Sequence, residues 1–251
     1  MIDIHSHLLP GVDDGSKSVE QSIPVLERFA ADGVECVVLT PHLTASAAAK
    51  APIERNRAIF EELRAVTPRG IELRLGWEIM LDEPKVDLRS RTLSLGGARA
   101  ILVEFPRKSV PQAAGDELFR IRCSGVVPVL AHPERYYGCT VELVEEWRLA
   151  GAVIQMDTAG LLGRGPISKL SRALVQDGLV DLFASDNHGD SRSLATARDW
   201  LAEVSSAEHA TLLTHTNAKR LLDGEPVLRV PPLPAMSGIF GRLRDLFLSG
   251  R

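Results

Sequence analysis

Short aliphatic runs recur along the chain at residues 1–4, 34–39, 71–75, 100–103, 126–130, 153–156 and 180–184. Within each run the hydrophobicity is continuous rather than alternating, the pattern of parallel strands covered on both faces. The segments between them have helical spacing. One opens at Ser18, where Gln21 three residues later makes a capping-box pattern, and Gly33 follows its end. Residues 52–66, 112–123, 141–150, 168–177 and 191–204 carry the others. Strand and helix therefore alternate, which predicts an α/β protein built as a βα barrel or a doubly wound sheet.

The last stretch departs from this rhythm. Pro226, Pro231, Pro232 and Pro234 mark residues 225–236 as an extended linker. Beyond it, residues 237–251 place Ile239, Phe240, Leu243, Leu246 and Phe247 on one side of a helix. The expected organisation is a catalytic barrel over residues 1–224, the linker, and this amphipathic helix packed on its own barrel or on a neighbouring subunit. Self-association is thus left open.

With 251 residues, the chain has the length of one sizeable α/β core. A net charge of -4 argues against non-specific nucleic-acid binding, which needs a basic footprint. The three cysteines, Cys36, Cys123 and Cys139, form no CxxC pair. Cys36 and Cys123 lie in or near apolar runs, so buried free thiols are expected. None has an arginine at the spacing that a thiol-type tyrosine phosphatase requires. The chain starts without a signal core and has no apolar run of about 18 residues, so a cytoplasmic location is expected.

The polar residues that change the picture sit where the runs end. His5 and His7 close the first, His42 the second, Glu78 the third, Glu104 the fourth, His132 the fifth, and Asp186 with His188 the seventh. The C-terminal strand ends are the rim on which α/β barrels carry their chemistry. Five of the seven histidines fall there; His209 and His215 do not and read as structural or exposed. Imidazoles and carboxylates converging on one rim need a cation, so this is a metal site. In an extended segment His5 and His7 point the same way and can share one ion. Of the paired Asp13 and Asp14 before Gly15, one is expected to be a ligand, and Asp14 is favoured.

Charge suggests more than one ion. Asp14, Glu78, Glu104 and Asp186 balanced against three divalent cations leave two positive charges, which a phosphomonoester dianion neutralises. The mixed nitrogen and oxygen donors suit Mn²⁺, Fe or Zn²⁺ without choosing among them, and Mn²⁺ is the first expectation. A metal-bridging hydroxide is the expected nucleophile. Arg135 and Arg192 follow His132 and His188 closely, and a guanidinium grips phosphate bidentately while balancing transition-state charge.

Together these residues resemble the motifs of the PHP superfamily, named for polymerase and histidinol phosphatase domains. His5-Ser6-His7, Val12-Asp13-Asp14-Gly15, Glu104-Phe105, Ala131-His132-Pro133-Glu134-Arg135 and Ser185-Asp186-Asn187-His188 resemble most closely the metal-dependent protein tyrosine phosphatases of bacterial capsule and exopolysaccharide operons. The likeness runs from Met1 to about Leu222 and leaves residues 226–251 unmatched. It implies a distorted (β/α)7 TIM-like barrel, the PHP fold, with a trinuclear centre. His5, His7, Glu78 and Asp186 would hold one ion, Glu78 with Glu104 and His132 the second, and Asp14, His42 and His188 the third. Arg135 and Arg192 would line the phosphate site, making them, with Asp186, the catalytic residues. The implied substrate is phosphotyrosine on the tyrosine-rich tail of a tyrosine autokinase, with membrane contact only indirect, through that substrate.

Rival readings make different demands. A small-molecule phosphatase, for histidinol phosphate for instance, needs a closed pocket that recognises an amine or imidazole. A TatD-type nuclease shares the strand-end ligands, but here the sixth strand ends in Gln155-Met156-Asp157 rather than in a histidine, and the chain is acidic. A non-catalytic metal-binding regulator would have no phosphatase activity to lose on ion removal.

Overall fold

Each of the seven expected strands forms, and two of them continue past a break into a further short strand. The computed structural model describes residues 1–106 and 110–233. The strands are β1 (Ile2–Ser6), β2 (Cys36–Leu39), β3 (His42–Thr44), β4 (Glu72–Leu75), β5 (Glu78–Met80), β6 (Ala100–Glu104), β7 (Val127–Ala131), β8 (Val153–Asp157) and β9 (Leu182–Ala184). All pairings are parallel. One sheet runs β1-β2-β4 and the other β3-β5-β6-β7-β8-β9, a mixed α/β architecture with parallel sheets.

The breaks have local causes. Pro41 separates β2 from β3 and has no N–H to donate to a ladder. Gly76 separates β4 from β5, and a Cβ there would crowd Leu95 and Val38 at 3.1–3.3 Å. The breaks are still stitched together: Gly76 N–H donates to Leu39 O (2.8 Å) and Glu78 N–H to Pro41 O (3.1 Å). His42 and Glu78, expected just beyond strand ends, therefore open short strands of their own and face each other in register. Along the other seam, Ser6 bridges Asn187, and the Asp3 carboxylate accepts the Ser185 N–H (3.1 Å).

Continuous hydrophobicity in the strands reflects two apolar surfaces. Ile2, Ile4, Val38, Leu102, Val129 and Leu182 pack into one cluster. Alternate residues of the same strands, such as Ile101, Val103, Leu130, Ile154 and Phe183, belong to a second cluster with Trp77 and Trp147. Val37 and Leu39 join a third with Leu26, Phe29 and Leu63. A polar residue at either set of positions would be stranded in a core.

The helices are α1 (Val19–Asp32), α2 (Ile53–Val66), α3 (Ala114–Cys123), α4 (Val141–Leu149), α5 (Ala159–Leu162), α6 (Pro166–Gln176), α7 (Ala195–Val204), α8 (Ala207–Thr211) and α9 (Asn217–Leu222). Three expectations are corrected. Ser18 is the N-cap of α1, but its side chain does not cap; Gln21 Oε1 instead accepts the Lys17 N–H (2.8 Å). Helix α7 begins later than residue 191, because residues 187–192 form a loop ordered by Asn187. Cys123 ends α3 and is exposed, whereas Cys36 is buried and Cys139 half-buried; burial raises their thiols to about 11 and about 12.

Away from the strand ends, buried His209 meets the Ser205 hydroxyl (2.9 Å), and half-exposed His215 meets Glu35 (2.8 Å). Residues 227–233 lie against the domain: Leu228 N–H donates to Asn217 Oδ1, and Leu233 exchanges two hydrogen bonds with Gln176. The expected helix over 237–251, and the end of the expected linker, lie outside the described residues. Among those described, no helix is long and apolar enough to cross a membrane.

Candidate metal centre

Strand β1 places Asp3 and His5 at alternate positions, with His7 just past its end, and all three are buried. Each histidine is fixed from behind. His5 Nδ1 lies 3.0 Å from Gln155 Oε1 and His7 Nδ1 lies 2.8 Å from Asp13 Oδ2. Both partners are acceptors, so each Nδ1 carries the proton and each Nε2 turns a lone pair inward. The two Nε2 atoms are 3.1 Å apart. Glu78 Oε2 lies 3.4 and 3.3 Å from them, and Asp186 Oδ1 3.3 and 3.2 Å. Two lone pairs and two anionic oxygens at this range repel unless a cation sits among them.

Glu78 joins this group to the next. Its Oε1 is 2.8 Å from His132 Nε2 and its Oε2 is 2.9 Å from His42 Nδ1. Glu104, the last residue of β6, brings Oε2 to 3.9 Å from His132 Nε2. Further out, Asp14 Oδ1 lies 3.2 Å from His42 Nε2 and 3.4 Å from His188 Nε2. Among the described residues, donor atoms within 4.8 Å of one another thus form four overlapping groups: His5, His7 and Asp186; His5, Glu78 and His132; His42, Glu78 and Glu104; and His7, Asp14, His42 and His188. Every residue expected to be a ligand is in at least one. Of the two aspartates, Asp14 faces the outer histidines while Asp13 stands behind His7.

The donor set fits divalent metal ions. Glu78 Oε2 is buried among imidazole nitrogens of His42, His7 and His5 at 2.9–3.4 Å, a crowding of lone pairs that coordination relieves. A 3.1 Å gap between Nε2 atoms also suits two ligands each about 2.1 Å from one ion. The backbone is strained here too: His132 (φ 35) and Asp186 (φ 47) are non-glycine residues in the left-handed region. Gly15 matters for space rather than for φ, since a Cβ on it would fall 2.0 Å from His7 O and 2.4 Å from His7 Cβ. Gly15→Ala is therefore expected to push the Asp13–Asp14 loop off His7, costing about 1–3 kcal/mol in denaturant unfolding.

Without ions, protons take the cationic role. Burial would strip the His5 proton, but the Glu78 and Asp186 carboxylates outweigh it and raise His5 to about 9. His7 is likewise raised well above its ordinary value, burial being overcome by Asp13, Asp186 and Glu78. Burial also opposes ionisation of Asp13, yet the His7 contact holds it at about 2. A histidine raised on folding stabilises the fold fully below its unfolded value of 6.5 and loses that contribution as pH rises through 9. Chelator-treated protein should therefore lose up to about 3 kcal/mol between those pH values, measured by urea unfolding. Metal-loaded protein should not. A flat profile for the chelated protein would refute this.

Arg135 and Arg192 converge on the same carboxylate, that of Asp186. Arg135 Nη1 lies 2.8 Å and Arg192 Nη1 2.9 Å from Asp186 Oδ2, the oxygen not facing the histidines. Arg135 also pairs with Asp157, and Arg192 with Asp190. Asn187, fully buried, shapes the loop that carries Arg192: its Oδ1 accepts from Gly189 and Asp190 N–H, and its Nδ2 donates to Asp190 and Arg192 carbonyls.

Several supporting residues escaped the sequence reading. Gln155 and Asp157 were noticed only as the absence of a histidine, although polar residues at alternate positions in an apolar run are a signal. Glu134, buried beside Asp157, has its carboxyl pushed well up by burial and by that neighbour. Tyr136 hydroxyl donates to Ala131 O (2.7 Å), tying the residues after β7 back to that strand.

A family model described as capsular polysaccharide synthesis, CpsB/CapC, matches residues 1–223. The chain is 30% identical to the tyrosine-protein phosphatase YwqE of Bacillus subtilis, over 93% of this chain and 96% of that one. It is 28% identical to the tyrosine-protein phosphatase CpsB of Streptococcus pneumoniae, over 88% and 98%. Among solved structures it superposes with TM-score 0.73 and 27% identity, over 94% of this chain and all of the other, on a structure from work on YwqE and S. pneumoniae CpsB, described there as unique metal-dependent tyrosine phosphatases.

Proposed function

We propose that this chain, which belongs to the CpsB/CapC capsular polysaccharide synthesis family, is a metal-dependent tyrosine-protein phosphatase. The observation that carries the metal reading is the pair of Nε2 atoms 3.1 Å apart, both Nδ1 atoms being occupied, with Glu78 and Asp186 beside them. His5, His7, Glu78 and Asp186 would hold a first ion, Glu78, Glu104 and His132 a second, and Asp14, His42 and His188 a third. Mn²⁺ is the first candidate, with Fe or Zn²⁺ as alternatives. The two parallel sheets, linked at both seams, are read as one distorted (β/α)7 barrel with this centre at its rim.

Bound ions supply Lewis acidity and a nucleophile available near neutral pH. The protein supplies the rest. Arg135 and Arg192, held within reach of Asp186, would transfer hydrogen bonds to the phosphoryl oxygens and stabilise the charge of an in-line displacement. Asp186 would keep both guanidinium groups oriented while no substrate is present.

An open rim favours phosphotyrosine on a protein over a small phosphoester. Asp14 is 70% and His42 35% exposed, so the outermost group can meet a side chain presented on another polypeptide. The proposed partner is the tyrosine-rich tail of an autokinase controlling capsule or exopolysaccharide synthesis.

Purified protein should contain divalent metal and hydrolyse a phosphotyrosine peptide. Chelation should abolish turnover and metal addition restore it. Faster turnover of histidinol phosphate than of the peptide, or metal-dependent cleavage of DNA, would overturn the reading.

A further inference from the structure

We infer that Gln155 and Asp157, at the end of β8, act as one positioning unit that orients the ligand imidazole of His5 and the phosphate-facing guanidinium of Arg135 together. The inference rests on the metal and phosphate roles proposed above.

Both residues are completely buried in a strand whose every position is buried. Polar side chains there are costly unless their hydrogen bonds are satisfied. Two residues apart on a strand, they face the same way. Gln155 Nε2 donates to Asp157 Oδ1 at 3.0 Å. The Asp157 carboxyl accepts from Gln155 and pairs with Arg135, so the amide turns its nitrogen to Asp157 and its oxygen to His5. That oxygen, 3.0 Å from His5 Nδ1, can only accept in turn. Asp157 thereby sets the tautomer of an imidazole it never touches, leaving Nε2 bare for a cation.

The other Asp157 oxygen pairs with Arg135 Nη2. Arg135 Nη1 reaches Asp186 Oδ2 at 2.8 Å, and Asp186 Oδ1 lies 3.3 Å from His5 Nε2. The contacts form a ring: His5, Gln155, Asp157, Arg135, Asp186 and His5 again. Glu134 Oε1 fixes the ring from outside by accepting the Asp157 N–H (3.1 Å). A neutral amide next to His5 adds no charge beside Glu78 and Asp186. The charge stands one step away, where it serves the arginine. The path from His5 through Gln155 and Asp157 to Arg135 links metal binding to phosphate binding by two hydrogen bonds and an ion pair.

The test uses the full chain and the variants Gln155→Met and Asp157→Asn, with Gln155→Glu for rescue. Mn²⁺ affinity is measured by titration calorimetry, inhibition by inorganic phosphate and KM for a phosphotyrosine peptide at saturating Mn²⁺, and folding by thermal denaturation. Gln155→Met is expected to weaken Mn²⁺ binding by about 10–100-fold with KM near wild type. Gln155→Glu, which keeps an acceptor for His5 but loses the donor to Asp157, should recover part of the affinity lost in Gln155→Met. Asp157→Asn should weaken Mn²⁺ and also raise KM and the phosphate inhibition constant about 10-fold. Folded variants that match wild type in Mn²⁺ affinity, KM and phosphate inhibition, or that lower only the melting temperature, overturn the inference while the proposed function stands. If Gln155→Met does not fold, failure of Gln155→Glu to bind Mn²⁺ overturns it. Wild-type protein that binds no metal overturns the proposed function first, and this inference with it.

Discussion

Glu78→Gln is expected to lower kcat/KM for a phosphotyrosine peptide by about three orders of magnitude, a loss of about 4 kcal/mol in transition-state stabilisation. The Glu78 carboxylate faces four histidines: Oε1 stands against His132, and Oε2 against His42, His7 and His5. Those contacts hold its pKa well below the ordinary value despite complete burial. An amide in its place removes a negative charge from among the donors and aims N–H bonds at imidazole lone pairs. Two proposed ion sites would weaken at once. Metal content should fall with activity, and Glu78→Gln protein that keeps full metal and at least a tenth of the activity would sink the assignment of Glu78 as a shared ligand.

The next largest effect is expected from Arg135→Ala, about 100- to 1000-fold in kcat/KM, the scale of losing one preorganised donor to developing charge. Arg135→Lys should recover little of it. A lysine offers one point of positive charge, whereas the Arg135 fork meets Asp157 with one nitrogen and Asp186 with the other. Arg192, pinned by Asp190 as well as Asp186, should follow the same pattern. Metal content should fall less in Arg192→Ala than in Glu78→Gln, since Arg192 touches Asp186 and His188 from outside the donor set rather than belonging to it. An Arg135→Ala enzyme within threefold of wild type would remove the arginine from the phosphate site.

The strands and the clustering of the candidate ligands were legible because both follow from simple constraints. A strand covered on two faces must be apolar throughout, so runs such as 100–103 and 126–130 stand out. A polar residue ending such a run has to face a site, which is why His132 and Glu104 could be found. What stayed hidden depends on direction rather than on type. Nothing in the sequence says that Thr40-Pro41 and Gly76-Trp77 only interrupt strands, so His42 and Glu78 were expected beyond strand ends rather than opening β3 and β5. The tautomers of His5 and His7 depend on partners far apart in one case, Gln155, and adjacent in the other, Asp13. Left-handed backbone at His132 and Asp186 is invisible because neither is glycine. Cys123 looked buried from its apolar neighbours, yet it lies on the outer side at the end of α3, where helical phase, not local hydrophobicity, decides exposure.

The seam between β1 and β9 has a consequence for how the protein is made. Asp3 meets Ser185, His5 O accepts from Asp186 N–H, and His7 N–H reaches Asn187 O, joining segments about 180 residues apart. The donors His5, His7 and Asp14 leave the ribosome first, whereas Asp186 and His188 are the last of the set to emerge. A nascent chain thus carries an incomplete chelating cluster until these two residues have been made. Intermediate-length chains stalled on the ribosome should fail to retain metal until the residues through 192 have emerged. Metal capture would then mark completion of the fold rather than begin it.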